Sequence, residues 1–430
     1  MEVREPSARY LIGNQCTELG EFPADWKVAS LGEFEPFVTS GSRGWAAHYS
    51  DIGSTFLRIT NLSRSRIYPS LKDLRYVVVP QDNSEGLRTA LKVGDVLVSI
   101  TADIGIVGLV TEDIDLPAYI NQHIALVRFA DQYLDSRYVA YFLAGASAQR
   151  RFKSMTDAGA KAGMNLAAVR EVLAAIPPST DEQRAIAEAL TDADALIDSL
   201  EQLLTKKRQI KQGAMQELLT GKRRLPGFKE GWKRVFLGNV ATFVKGQGLS
   251  KSALSPDGAV PCIHYGQLFT EYGPIIESVH SYVDHQHAGT TSQAHDVLMP
   301  TSDVTPKGLA KASCVLQNGV ALGGDILVIR VDSNLVHGPF LSNVIRFKPE
   351  RVLELVTGST VFHLYARDMA GYLLDLPNAD EQKAIVGVLA DMDTDLTALE
   401  SRLTKARALK QAMAQALLTG RIRLTEGAAA

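Results

Sequence analysis

The chain is poor in the residues that announce the commoner chemistries. Its three cysteines, Cys16, Cys262 and Cys314, are odd in number and far apart, which argues against a disulfide frame and against zinc-ligand spacing. They suit reduced thiols of a cytoplasmic protein, and the opening MEVREPSARY is not a secretory leader. No apolar run approaches the roughly 18 residues that a membrane span requires, so no membrane association is expected. Neither sign of charge is in excess: 45 Lys and Arg stand against 48 Asp and Glu, for a net charge of −3. That balance excludes a uniformly basic surface and leaves room for a local basic face.

Enzyme signatures are also missing. IPPS (Ile176 to Ser179) lacks the Asn or Asp that opens an NPPF/Y-type tetrad and holds a target amine. No Gly-rich cofactor loop follows a strand, and no nuclease-like cluster of carboxylates and lysine stands out. DAGAKAGMN lacks the Lys-Ser/Thr ending of a phosphate-binding loop. His280, Asp284, His285 and His287 in VHSYVDHQH match no common zinc spacing and read as a polar loop. No catalytic residue, metal or bound cofactor is therefore assigned to this chain.

What the chain does have is a long repeat. TDEQRAIAEALTDADALIDSLEQLLTKKRQIKQGAMQELLTGKRRL begins at Thr180, and ADEQKAIVGVLADMDTDLTALESRLTKARALKQAMAQALLTGRIRL begins at Ala379. Asp181 aligns with Asp380 and Leu225 with Leu424, without a gap. Each copy reads as a helix of about 39 residues, about 58 Å long, opened by proline and an acidic first turn and stopped at Thr-Gly. Apolar residues fall at heptad-like spacing: Ile186, Leu190, Ala193, Ile197, Leu200 and Leu204, then Ile385, Leu389, Met392, Leu396, Leu399 and Leu403. These predict a seam that pairs the two helices, with Leu203 and Leu219 left on faces for partner helices. Acids crowd the front half of each copy and bases the rear half. Parallel helices would oppose like charges, so the reading is antiparallel.

The segments between the helices are less alike but share punctuation. DWKVASLGE matches GWKRVFLGN, so Trp26 falls on Trp232, and both are expected to be core anchors. GDVLVSITADIGIVGLV and HDVLMPTSDVTPKGLAKASCV each read as strand, turn, strand. HIALVRF and DILVIRV are β-rich runs at corresponding places. The expected fold class is α+β. Two diverged copies of a mixed α/β domain, 1–175 and 226–375, are joined by helical regions 176–225 and 376–425, with a tail at 426–430. With antiparallel helices the product is a closed, pseudo-two-fold arrangement.

This order of motifs resembles the DNA-specificity (S) subunit of type I restriction–modification systems. The residues that carry the likeness are IPPSTDEQRAIAEALTDADALIDSLE with LTGKRRLPGF, LPNADEQKAIVGVLADMDTDLTALE with LTGRIRL, the paired domain openers, and the GDVLVSITADIG and NQHIALVRF runs. The second domain departs from the family wording, with ALGGDILVIRV in place of an NQH-like run. The resemblance implies a non-catalytic subunit that binds a bipartite double-stranded DNA target, one half-site per target recognition domain. It also implies docking of two methyltransferase (M) subunits, which use S-adenosylmethionine, and of restriction (R) subunits. Physics is compatible with that role. Half-sites on one duplex face recur about every 34–36 Å, and phosphate contacts supply affinity while base edges supply specificity.

Under that reading the candidate DNA contacts are loop residues with amide or basic ends, because Arg pairs bidentately with guanine and Asn with adenine. The first domain offers Ser42 and Arg43 in TSGSRG, Arg58, Asn61, Arg64 and Arg66 in RITNLSRSR, and Lys161 and Asn165 in DAGAKAGMN. The second offers Lys245, Gln247 and Lys251 in FVKGQGLSK, His264 and Gln267 in HYGQLFTEYG, and Ser302, Lys307 and Lys311 in TSDVTPKGLAK. Two other readings stay open on the residues alone: an enzyme with an unrecognised methyltransferase or nuclease site, and a coiled-coil scaffold for modules that bind no DNA.

Overall fold

The computed structural model describes residues 13–41, 43–79, 84–130, 134–157, 163–255, 257–284 and 289–424. The chain forms two compact units. One comprises residues 1–201 with 401–430, and the other 202–400. The division falls inside both long helices, Thr180–Leu218 and Ala379–Leu417, each of 39 residues. Each unit therefore holds one domain, the front half of one helix and the rear half of the other.

In the first unit, strands Phe37–Ser40, Ile124–Arg128, Val96–Ser99 and Val107–Leu109 lie side by side, all antiparallel. The strand VLVS (Val96–Ser99) is buried along its whole length because both faces are covered. Val96, Val98, Ala125 and Val127 point into one core with Tyr138 and Phe142 of helix Ser136–Ala144. Leu97, Ile124 and Leu126 point into a second core with Leu57 and Ile120. Side-chain alternation of period two divides one apolar run between two cores. A second sheet runs Ala118–Ile120, Ser54–Leu57, Arg75–Val77, Tyr49–Ser50. The pair Lys27–Ser30 and Leu173–Ile176 ties the start of the domain to its end.

The second unit repeats the plan. Its sheet runs Ala241–Lys245, Ile326–Val331, Val297–Pro300, Ser313–Val315, Ile275–Ile276. Val297, Met299, Leu327 and Ile329 face one core, while Leu298, Ile326 and Val328 face the other. Lys233–Phe236 pairs with Leu373–Leu376, as Lys27–Ser30 does with Leu173–Ile176. An ion pair is repeated as well. Asp95, fully buried, accepts from Arg128 Nε and Nη2 at 2.7 Å, and Asp296 accepts from Arg330 at 3.0 and 2.9 Å. This explains the Asp-Val-Leu shared by the two domains and the arginine on the neighbouring strand.

The helices run antiparallel within each unit. In the first, Ile186 and Leu190 of the front half share a core with Leu417 and Leu418 at the rear end of the other helix. In the second, Ile385 and Leu389 do the same with Leu218 and Leu219. Leu219 is thus 1% exposed and packs inside its own unit, so its expected partner-facing role is corrected. It lies one residue past the helix, where the chain turns back onto the domain. Leu203, in contrast, is 40% exposed. Ile197, Leu200, Leu204, Leu399 and Leu403 are buried and Leu396 is half-buried, in keeping with the heptad seam. Both helices stop at a left-handed glycine, Gly221 (φ 70°) and Gly420 (φ 68°). Among the described residues no helix is long and apolar enough to cross a membrane.

Candidate nucleic-acid interface

The repeated DEQ and the repeated arginine after Thr-Gly have one purpose. Glu182, fully buried, accepts from Arg423 Nε and, at 2.6 Å, from Arg423 Nη2. The same guanidinium reaches Asp25 at 3.0 Å twice and lies 5.6 Å from the Trp26 ring. In the second unit Arg224 donates to both oxygens of buried Glu381 at 2.5 Å and lies 5.9 Å from Trp232. Trp26 is a core anchor as expected; Trp232 is only half-buried and donates to Glu381 at 3.3 Å. The carboxylate hydrogen bonds raise the pKa of both Arg423 and Arg224 above the ordinary range. Gln183 receives the Asp135 N–H at 2.9 Å, and Gln382 receives the His337 N–H at 2.7 Å. Each helix start is thereby bound to its domain and to the segment that follows the other helix.

His337 adds a pH dependence to the second clasp. It precedes helix Gly338–Phe347, with its ring 5.4 Å from that of His295. Both Nδ1 atoms are buried without a hydrogen-bond partner. Burial, with the facing His295 and Lys383, pulls the His337 pKa down to about 4. An unfolded histidine titrates near 6.5, so the unfolded state takes up the proton first. Stability should be complete above about pH 6.5 and fall as pH drops towards 4, by about 1–2 kcal/mol after allowance for partial exposure. Urea midpoints measured across that window should fall for the natural chain and fall less for His337→Gln; identical slopes would remove the assignment.

Charge pairs continue along the helices. Arg407 meets Glu201 at 2.7 Å and Lys410 meets Asp194 at 2.5 Å in the first unit. Arg208 meets Glu400 at 2.6 Å and Lys211 meets Asp393 in the second, at the corresponding positions. Lys207 adds a contact to Asp395 at 2.8 Å. Apart from Lys410 and Asp194, which are largely buried, these pairs are at least partly exposed and contribute little stability, but they set direction and register.

The candidate contacts separate into free and committed side chains. Gly41 and Gly246 launch the two corresponding loops, and each must be glycine. A Cβ would lie 2.0 Å from the Ile120 carbonyl oxygen in one and 1.9 Å from that of Gly323 in the other. Beyond them Arg43, Gln247 and Lys251 are exposed, as are Lys245, just before Gly246, and Lys307. Asn165 is exposed but caps helix Leu166–Arg170 through the Ala168 N–H at 2.8 Å. His264, Ser302 and Lys311 are half-buried. Ser42 and Lys161 lie outside the described residues, as do His285 and His287 of the polar loop.

Two expectations need correction, Asn61 and Gln267, and two of the arginines are paired while staying partly exposed. Asn61 is buried, and its side chain accepts from Arg58 N–H at 3.0 Å and donates to the Ser70 carbonyl at 3.1 Å. Gln267 is buried, bonded to His264 N–H, Glu271 and Ser281, each at 2.8 Å. Arg66 is turned onto the first long helix, 2.8 Å from Asp198 and 3.3 Å from Glu201. Arg64 is tied to Asp103 and to the Ile104 carbonyl at 2.9 Å. Both arginines line a groove of about 940 Å³ with Asp194, Asp198 and Glu201. Arg58 keeps partial exposure and donates to the Asp73 carbonyl at 2.9 Å. Amide and guanidinium ends suit turn-pinning as well as base edges, and a string of letters does not separate the two uses.

Comparison with known proteins identifies the repeat. The family described as type I restriction modification DNA specificity domain matches residues 23–212 and 229–406. The chain belongs to that family. Among specificity subunits of Methanocaldococcus jannaschii, that of the type I enzyme MjaX is 24% identical, with 95% of this chain and 96% of the relative covered. That of MjaVIII is 24% identical over 49% of each chain. The type I S subunit from M. genitalium shares the fold at a TM-score of 0.56, 14% identity, and coverage of 91% and 96%. A structure from work on assembly and conformational transition of a type I R-M system gives 0.52, 16%, 93% and 99%.

Within this specificity-subunit fold, sequence reading passed over one exposed group. Strand Ser302–Asp303 pairs with Phe362–His363, setting Ser302 opposite His363. His363 stacks on Tyr365 (6.0 Å, 25° between planes), and the Arg367 guanidinium lies 5.3 Å from the same ring. The i, i+2, i+4 spacing in HLYAR was the available signal.

Proposed function

We propose that this chain reads a two-part duplex target, one half-site per domain, and serves as the frame on which two methyltransferase subunits and the restriction subunits dock. It performs no methyl transfer or cleavage itself, and S-adenosylmethionine belongs to the methyltransferase partners. The observation that carries this reading is the contrast between the repeated clasp and the unlike loops. Glu182–Arg423 and Glu381–Arg224 are built alike, while loops launched from Gly41 and Gly246 present different side chains. A frame kept constant under two changed surfaces suits two different messages at a set separation. Leu203 and Ile210, seven residues apart on the part of the first long helix in the second unit, are both exposed and offer an apolar face for a partner helix.

The test is selection from a pool of random-sequence duplex, with the chain alone and with its modification partner. A two-part sequence with an unspecified spacer should emerge, and log affinity should fall linearly with log salt. Pure chain incubated with that duplex and labelled methyl donor should transfer nothing. Binding to the selected duplex no better than to scrambled duplex at every salt concentration would end the proposal.

A further inference from the structure

We propose that His363, Tyr365 and Arg367 form the base-reading element of the second domain, with Arg367 directed at a guanine edge. This rests on the reading that the second domain binds duplex DNA. Tyr365 is 46% exposed and the Arg367 side chain 80%. A stacked aromatic pair usually serves a core, yet this one faces solvent, where burial gives it no reason to stay ordered. Its order comes from the strand pairing of Phe362–His363 and from the Leu364 N–H bonded to the Thr301 carbonyl at 3.0 Å. A cation held over a ring has its planar fork pre-organised, and two parallel N–H donors match O6 and N7 of guanine in the major groove. Asp368 lies 3.4 Å from Arg367 and is itself half-buried, but the Arg367 side chain stays 80% exposed, which leaves the guanidinium available.

The first domain supplies the comparison. Its Met164 N–H bonds the Ile100 carbonyl at 2.8 Å, as Leu364 does Thr301, and Asn165 precedes helix Leu166–Arg170 as Tyr365 precedes Ala366–Ala370. The Met164 and Leu364 bonds and the short helices after them recur, whereas at Gly163 a Cβ would lie 2.4 Å from the Ile100 carbonyl oxygen, so the backbones part there; Asn165 and Ala167 stand where the second domain has Tyr365 and Arg367. Residues that served only to hold this frame would be alike in both domains, whereas residues that read different bases would not.

The experiment uses the full-length chain with its modification partner and a random-sequence duplex pool, sequencing the bound fraction for the natural chain, Arg367→Ala, Arg367→Lys and Tyr365→Ala. The natural chain should recover a two-part sequence. Both Arg367 variants should lose preference at one G·C pair of one half-site, by about 5- to 150-fold, and leave the other half unchanged. Tyr365→Ala should weaken the same position. Melting temperatures should match the natural chain, because neither side chain lies in a core. An unchanged base preference in the variants overturns the proposal. So does a loss equal at all sequences with a shallower salt dependence, which marks a phosphate contact, or full rescue by lysine, which shows that no planar fork reads the base. If the natural chain itself selects no sequence, the duplex-reading function fails first and this assignment with it.

Discussion

Arg423→Ala is expected to destabilise the first unit by about 3–5 kcal/mol, although the residue lies beyond the end of the last helix. Removing the guanidinium leaves Glu182, fully buried, without its counter-charge, and strips Asp25 of two contacts at 3.0 Å. The cost is mainly the stranded carboxylate, since a buried pair contributes little net stability while its broken half is severely unfavourable. Arg421, exposed two residues earlier, is the control, and Arg421→Ala should stay within about 0.5 kcal/mol. Arg423→Lys should recover only part of the loss, because an ammonium offers no planar fork to two carboxylates. Urea denaturation of the three variants checks this; a loss for Arg423→Ala no greater than for Arg421→Ala would show that the clasp is not holding the unit.

A fragment of residues 1–225 is expected to associate into a homodimer. In the first unit the front of one helix is met by Arg407, Lys410, Leu417, Leu418 and Arg423 from the rear of the other. The fragment carries its own version of that rear half. Arg208, Lys211, Leu218, Leu219 and Arg224 make the same contacts to the second helix in the second unit. Two copies can therefore each supply a front to the other's rear, with Glu201 meeting Arg208 and Glu182 meeting Arg224. Sedimentation should show a dimer that dissociates on dilution, and Arg224→Ala should weaken it sharply, because two Glu182 carboxylates, one from each copy, are then left unpaired. A fragment that stays monomeric at every concentration would refute the equivalence of the two clasps.

Legibility in the sequence followed the range of the interactions. The heptad run from Ile186 to Leu204 and the helix stops at Thr-Gly are local, and both helices, their length and their stops were readable. The antiparallel direction was readable too, because the division of acids and bases along each copy is itself a statement about pairing. The β runs GDVLVS and HIALVRF were legible as strands. That Leu97 and Val98 enter different cores required knowing what covers each face of the sheet. Arg64 and Arg66 share a short stretch with Arg58, and nothing local says that two of them turn towards Asp103 and Asp198.

By itself the sequence determined the repeat, the two long helices, their opposed directions and the family, since periodicity, charge order and motif order are properties of the chain read along its length. Tertiary structure alone decided which polar ends are spent. Asn61 and Gln267 are consumed by backbone and side-chain partners, Leu219 is enclosed by its own unit, and Tyr365 with Arg367 is left facing solvent. The reason is that exposure and hydrogen-bond partnership arise from residues distant in the chain, and identical side chains pin a turn or face a ligand according to what the fold places beside them.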